Sequence, residues 1–470
     1  MNTPLPSLSW LGIARLGLVQ AMLGAVVVLT TSTLNRVMVV ELALPALLPG
    51  LLVALHYAVQ LSRPRMGFGS DVGGRRTPWI IGGMAGLALG GLGAAVATTW
   101  MATDRSAGIA LAALSFALVG MGVSASGTSL LVLLAKRVDA PRRASAAAVV
   151  WVMMIVGFAV TAGLAGHWLD PYSAQRLITV SATVSAVAFT VASLALWGLE
   201  GHARSTAPSA AAKPRFMAAL AQVWTEPDAR RFTIFVFVSM LAYSTQDLIL
   251  EPFAGAAFGF TPGQSTQLSG VQHGGTLAGM LLAALAGRRI AGVRLGSLPA
   301  WTVGGCIASG MALLGLTLAG ALAPHWPLRA NVFALGVANG AFAIAAIGSM
   351  MSLAGGGNTS GRESREPPIA GSAREGTRMG LWGAAQAIGF ASGGLFGAAA
   401  SDVARWLISE TSGGSQQGSA YAAVFFIEAF MFVAAAWLAA KVSGPHAAVQ
   451  VPPTEIQRTH VPGVPAGGSP

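Results

Sequence analysis

Long apolar runs, broken by short stretches rich in glycine, proline or arginine, recur along the whole chain. Several exceed the roughly 18 residues that mark a membrane-spanning helix rather than a buried core helix. The pattern predicts helices over 13–41, 45–61, 79–100, 107–134, 145–168 and 177–199. A second set follows over 232–253, 266–286, 297–318, 330–353, 379–400 and 421–440. Residues 200–231 break the rhythm: they are rich in Ala, Ser and Pro and carry Arg204, Lys213, Arg215, Arg230 and Arg231. They read as a cytoplasmic linker between a six-helix half at 1–199 and another at 232–441. A Pro- and Gly-rich tail at 442–470 is expected to be disordered, and the polar stretch 355–377 to be mobile. The first apolar run has no small-residue cleavage site behind it and reads as a retained helix.

Within the runs, small residues recur at helical spacing. Gly82, Gly86 and Gly90 repeat every four residues, as do Gly389, Gly393 and Gly397. Each set predicts a face on which a neighbouring helix packs closely. Trp79 and Trp100 bracket the third helix as interface anchors.

Charge changes the picture only in one respect. A formal charge of +11 would suggest nucleic acid for a soluble chain. Here only a tenth of the residues are charged and the mean hydropathy is +0.65, so the apolar runs cannot all be core. The basic residues gather in alternate loops: Arg75 and Arg76, Lys136 to Arg143, and Arg288 to Arg294. The opposite loops hold Arg105, Arg176, Arg329 and Arg405. This is the positive-inside pattern; it excludes nucleic acid as a partner and predicts a membrane protein with both termini cytoplasmic. Cys306 is the sole cysteine, so there is no disulfide framework and no cysteine metal site. No P-loop, HExxH or G-x-S-x-G pattern occurs, and no enzyme is predicted.

Ionisable residues inside membrane helices are costly and must face a cavity or one another. Helix one carries Thr33, Asn35 and Arg36, then Glu41; helix seven carries Ser244, Gln246 and Asp247, then Glu251. The echo suggests two related halves. For Arg36, Glu41, Asp247 and Glu251, a structural ion pair between helix ends stands against a substrate or gate site. Glu41 and Asp247 read as lying toward helix ends. Glu428 reads as a buried pairing residue, and His167 and His325 as interfacial. Each half also places a histidine in its next helix, His56 and His273. These are either hydrogen-bonded packing residues or axial ligands to a porphyrin-type magnesium, a role that neutral imidazole suits.

Between helices two and three the chain reads G-x-x-x-D-x-x-G-R-R, from Gly67 through Asp71 and Gly74 to Arg75 and Arg76. Glycine permits close helix ends and φ > 0. Asp71 can accept bonds from a helix N-terminus or an arginine. This stretch resembles the loop signature of the major facilitator superfamily. The resemblance implies an all-α membrane protein of twelve helices in two pseudo-symmetric six-helix halves. It also implies that helices one and seven face each other at the outer end of a central cavity. Arg36 and Asp247 would then form a forked pair that closes the periplasmic side, with Glu41 and Glu251 competing for the arginine.

Three longer runs narrow the resemblance. They are Leu29 to Leu42, Arg63 to Asp71, and Glu375 to Ile388 (EGTRMGLWGAAQAI). All three are similar to the PucC/LhaA family. The resemblance implies an assembly factor for light-harvesting antenna complexes in the intracytoplasmic membrane of purple phototrophic bacteria. It would bind bacteriochlorophyll transiently and deliver it to antenna polypeptides. Partners would include those polypeptides, the reaction-centre core or pigment-synthesis enzymes, and the lipid membrane. The family offers no ligand residues to carry over, so His56 and His273 rest on the reading of the residues. Two alternatives stay open: a proton-coupled small-solute transporter, which the placement of the carboxylates disfavours, and a scaffold for antenna helices that carries no pigment.

Overall fold

Four of the helices begin at a side chain that satisfies the free amides of the first turn. Ser9 accepts from the Gly12 amide at 3.3 Å, Asp104 from Ala107 at 3.0 Å, Ser173 from Arg176 at 3.1 Å and Ser297 from Ala300 at 3.3 Å. The computed structural model describes residues 7–63, 75–139, 142–200, 224–286, 296–355, 369–412 and 417–442. Most of the signature loop, the greater part of the linker, the centre of the 355–377 stretch and the tail lie outside them. So do Gly67, Asp71 and Gly74.

The described residues form twelve long helices. In the first half these are α1 Trp10–Glu41, α2 Leu47–Ser62, α3 Thr77–Trp100, α4 Arg105–Arg137, α5 Arg143–Leu169 and α6 Ala174–Leu196. In the second they are α7 Pro227–Phe258, α8 Pro262–Ala286, α9 Leu298–Leu322, α10 Leu328–Gly355, α11 Ile369–Ser412 and α12 Gln417–Val442. Every predicted helix overlaps one of these. Among the described residues ten are long and apolar enough to cross a membrane. The other two depart for different reasons. α2 is apolar but short, whereas α8 carries Gln264, Thr266, Gln267, Ser269, Gln272 and His273 in its first half. Such a polar helix needs protein neighbours, and α8 packs against α5 and α10.

Helix contacts repeat with a shift of six. α1 packs on α5 and α6 as α7 packs on α11 and α12; α3 packs on α4 and α6 as α9 packs on α10 and α12; α2 packs on α4 as α8 packs on α10. Two seams join the halves, α2 with α11 and α5 with α8, and these are themselves mates. This is the arrangement of two pseudo-symmetric six-helix bundles. One core in the first half includes Ile13, Leu16, Leu87 and Leu130; the core of the second includes Phe253, Leu313, Phe342 and Phe432. Outside these cores, Leu89, Leu114, Leu194, Met311, Phe430 and Trp437 are exposed. An apolar exterior around an apolar interior is the mark of a multi-pass membrane protein.

The α11 glycine face packs as predicted. A Cβ at Gly389 would meet the Phe237 carbonyl of α7 at 2.9 Å, one at Gly397 would meet Thr245, and one at Gly393 would collide with the Leu241 carbonyl. The α3 face is shifted by one residue. Gly83 and Gly90, seven apart, press on the α4 backbone at Ser126 and Val119, while Gly82 faces open space. A four-residue repeat drifts around an α-helix, so the contact follows the seven-residue pair.

At the end of the bundle that carries the N-terminus, Glu200 ties three segments together. Its carboxylate accepts from the Arg76 and Thr77 amides at the start of α3, the latter at 2.8 Å. Arg137 of α4 donates to the Leu199 and Glu200 carbonyls at 2.9 and 2.7 Å. Burial opposes the Glu200 charge, but the Thr77 hydroxyl, the two amides and Arg75 outweigh it and hold the carboxyl below its usual range. A carboxyl whose pKa is lower folded than unfolded contributes stability above the unfolded value and loses it as pH falls through the folded one. The purified protein should therefore lose thermal stability as pH drops below about 4.5, the ordinary Glu value. Glu200→Gln should flatten that part of the melting profile; an unchanged acid slope would remove Glu200 as its source.

Candidate functional site

The second half of α1 is polar where the first is not, and its backbone widens there. Leu29–Thr33 and Val37–Glu41 are π-helical turns on either side of Leu34–Arg36. Such turns are rare and tend to mark functional stretches. They lie where α1 meets α7 and α8. Thr33 shares a hydrogen bond with Thr266 at 3.0 Å, and Asn35 donates to the Leu248 carbonyl of α7.

Arg36 is 2% exposed. Its guanidinium pairs with Glu41, donates to the Phe260 carbonyl at 2.6 Å and reaches Ser265 at 3.4 Å. It thus fastens the end of α1 to the turn between α7 and α8. A second fastening was not foreseen: Asp402 of α11 accepts from the Ala46 and Leu47 amides at 3.0 and 2.7 Å, capping the start of α2. Arg405 holds Asp402 from one turn away. The only sequence signal was an acid and a base three apart. Both latches lie at the end of the bundle opposite the N-terminus, and they close it.

The expected Arg36–Asp247 pair does not form. α7 continues through Pro252 to Phe258, where Gly259 at φ 68° ends it. Asp247 therefore sits eleven residues before the helix end, about 16 Å down its axis at 1.5 Å per residue. Arg36 points the other way, to the turn after α7. Of the two competitors named for the arginine, Glu41 takes it. Glu251 instead accepts from the Ser269 hydroxyl. Asp247 lies about one turn from the middle of the span Ala229–Phe258, deeper than predicted.

Around Asp247 the two halves present rings to each other. Tyr57 of α2 stacks on Phe390 of α11 at 5.3 Å and 20°, and Tyr243 of α7 meets Phe390 edge-on at 5.9 Å. Gln272 of α8 reaches the Asp247 carboxylate at 3.5 Å. Residues so far apart in sequence give no local signal. Glu428 of α12 is fully buried and forms no ion pair among the described residues; it is not the pairing residue expected. Its neighbour across α7, Gln246, is likewise buried with both amide atoms unpartnered.

The two histidines differ. His56 is buried, with Nε2 held by Gln60 at 2.8 Å and Nδ1 sealed without a partner; Gln60 in turn accepts from Arg63. His273 lies in the α5–α8 seam, edge-on to Phe158 at 4.9 Å. Its Nδ1 bonds the Ser269 carbonyl at 2.8 Å, which fixes the proton on that nitrogen and leaves Nε2 as the lone-pair side. His167 and His325 are exposed near helix ends. Among the described residues no three His, Cys, Asp or Glu converge as a metal site.

Likeness to known proteins bears on fold and family separately. The chain aligns with a bacterial homologue of the human lysosomal transporter Spinster, in an inward-facing conformation, with a TM-score of 0.63, 15% identity, and coverage of 92% of this chain and 96% of that one. A structure described as giving insight into substrate recognition in proton-dependent oligopeptide transporters aligns with a TM-score of 0.64, 15% identity, and 92% and 98% coverage. At that identity they establish the major facilitator fold alone. Sequence relatives reach further. The "Bacteriochlorophyll synthase 44.5 kDa chain" of Rhodobacter capsulatus is 49% identical over 446 residues, covering 95% of this chain and 98% of that protein. "Protein PucC" of Rhodobacter capsulatus is 30% identical over 445 residues, covering 90% of each, and that of Cereibacter sphaeroides is 29% identical over 446 residues. The profile described as "PUCC protein" matches residues 33–447, from the polar half of α1 to beyond α12. The chain belongs to the PucC protein family.

Proposed function

We propose that this protein is an assembly factor that binds bacteriochlorophyll and hands it to the antenna polypeptides of bacterial light-harvesting complexes. The observation that carries the reading is the match of PucC type along nearly the whole chain, including a relative named for bacteriochlorophyll. That relative's name also contains the word synthase. We read this chain as a carrier, making and breaking no bond, because its family match is of PucC type and its fold is that of transporters. We further place it in the inner membrane with both termini cytoplasmic. The supporting observation is that Arg75, Arg76, Arg137 and Arg143 lie at the same end of the bundle as the N-terminus.

A chlorin magnesium needs one axial donor, not a cluster. His273 suits that role by its chemistry, since Nδ1 is committed to a carbonyl and Nε2 is not. His56 suits it less well, because Gln60 occupies Nε2. Bound there, the pigment's magnesium would supply the Lewis acid that the imidazole ligates. Phe158 would steady the ring plane of His273, and Ser269 would hold its tautomer. Expression of His273→Leu in cells that make the pigment should lower the pigment that co-purifies by at least half, with the protein still monodisperse. His56→Leu should lower it less. Full occupancy in the double variant would remove both histidines.

One observation favours a second reading. Asp247 near the middle of α7 is where a proton-coupled carrier needs its carboxylate, so transport of a small solute stays in play.

A further inference from the structure

Asp247 carries an acid into the membrane interior, and none of the cations among the described residues pairs with it. Its one hydrogen-bond partner is Gln272, at 3.5 Å. The ion pairs found among the described residues, Arg36 with Glu41 and Arg405 with Asp402, both lie elsewhere. Arg63, at the end of the facing helix α2, donates to Gln60. Removing a carboxylate from water without a partner is costly, so such a group implies a neutral form or a visiting counter-charge.

The surroundings decide between these. Tyr243 stands one turn before Asp247 on α7, and Phe390 lies against the rings of both Tyr243 and Tyr57. Tyr57, Tyr243, Phe390 and Asp247 are each part-exposed, unlike the sealed Glu428 and Gln246. They come from α2, α7 and α11, so the group lies where the two halves meet. A carboxylate beside aromatic faces is the usual recognition chemistry for an organic cation, which gains from the charge and from the ring quadrupoles together. A site built only to hold a proton needs no such rings. We propose that Asp247, Tyr57, Tyr243 and Phe390 form a binding site for an ammonium-type organic cation, with Gln272 orienting the carboxylate. This site is separate from the histidine assigned to pigment and does not depend on it.

The test is calorimetric titration of the full-length protein in detergent with benzyltrimethylammonium, set against phenylmethanesulfonate, an anion of similar size. The wild type should bind the cation saturably and the anion not at all. Asp247→Asn should weaken binding at least tenfold. Phe390→Leu keeps the charge and removes a ring, so it stays informative if the Asp247 variant misfolds; it should weaken binding by about three- to tenfold. Asp104→Asn, an exposed helix cap far from the site, should bind as the wild type does. Equal binding of the anion, wild-type affinity in Asp247→Asn, or no saturable binding by the wild type would overturn the proposal. So would proton uptake at Asp247 with no ammonium binding.

Discussion

Arg36→Met should open the end of the bundle opposite the N-terminus. Arg36 is almost wholly buried and holds three groups at once: Glu41, the Phe260 carbonyl and Ser265. Methionine fills much of the volume but offers no donor. Glu41 is one-third exposed and can hydrate, whereas the Phe260 carbonyl is left without its donor. Leaving such a group unpaired costs about 1–3 kcal/mol, a shift of roughly ten- to a hundredfold between closed and open populations. The shift is readable at Thr266, buried against Thr33 across the seam. A Thr266→Cys probe should react with a membrane-impermeant thiol reagent much faster in the Arg36→Met background. Cys306 is buried and will not compete. Equal labelling rates would show that Arg36 is packing rather than latch. Asp402→Asn tests the other fastening by the same readout and should give a smaller effect, because both members of its ion pair are part-exposed whereas Arg36 is buried.

Gly393→Leu should leave little folded protein in the membrane. Here α11 and α7 approach so closely that even a methyl would strike the Leu241 carbonyl, and a helix backbone cannot step aside as a side chain can. Gly393→Ala should already cost about 1–3 kcal/mol, the usual range for overpacking. It should appear as a lower melting midpoint in detergent. Gly383, on the same helix with nothing within 4 Å of the added atom, is the control: Gly383→Ala should melt as the wild type does. If both alanine variants melt alike, the α7–α11 contact is not close-packed there.

Most of the fold was legible because membrane helices announce themselves by length, and even the polar α8 stood out between two turns. Two features of α7 were not. Pro252 reads as a stop, yet the helix runs through it, as membrane helices allow where neighbours re-satisfy the backbone. That hid five residues and with them the depth of Asp247. The echo between helices one and seven matched Arg36 to Asp247, whereas the arginine reaches beyond α7 altogether. The glycines of α11 were read in register; on α3 Gly90 was placed correctly, but the close contact at the other end belongs to Gly83 rather than Gly82, because a pattern of four drifts around the helix. The ring group of Tyr57, Tyr243 and Phe390 joins helices from opposite halves, and nothing in the local sequence could assemble it. The two histidines looked equivalent as letters. Only their hydrogen bonds separate them, one with Nε2 occupied and one with Nε2 available.

The central claim is that this protein carries bacteriochlorophyll. The most direct measurement is an absorption spectrum of the protein purified in mild detergent from cells making the pigment, with pigment quantified per chain. Carriage predicts near-infrared bands at close to one pigment per protein, and loss of most of that signal in His273→Leu. A colourless protein that still co-purifies with antenna polypeptides would contradict it and leave a scaffold in its place.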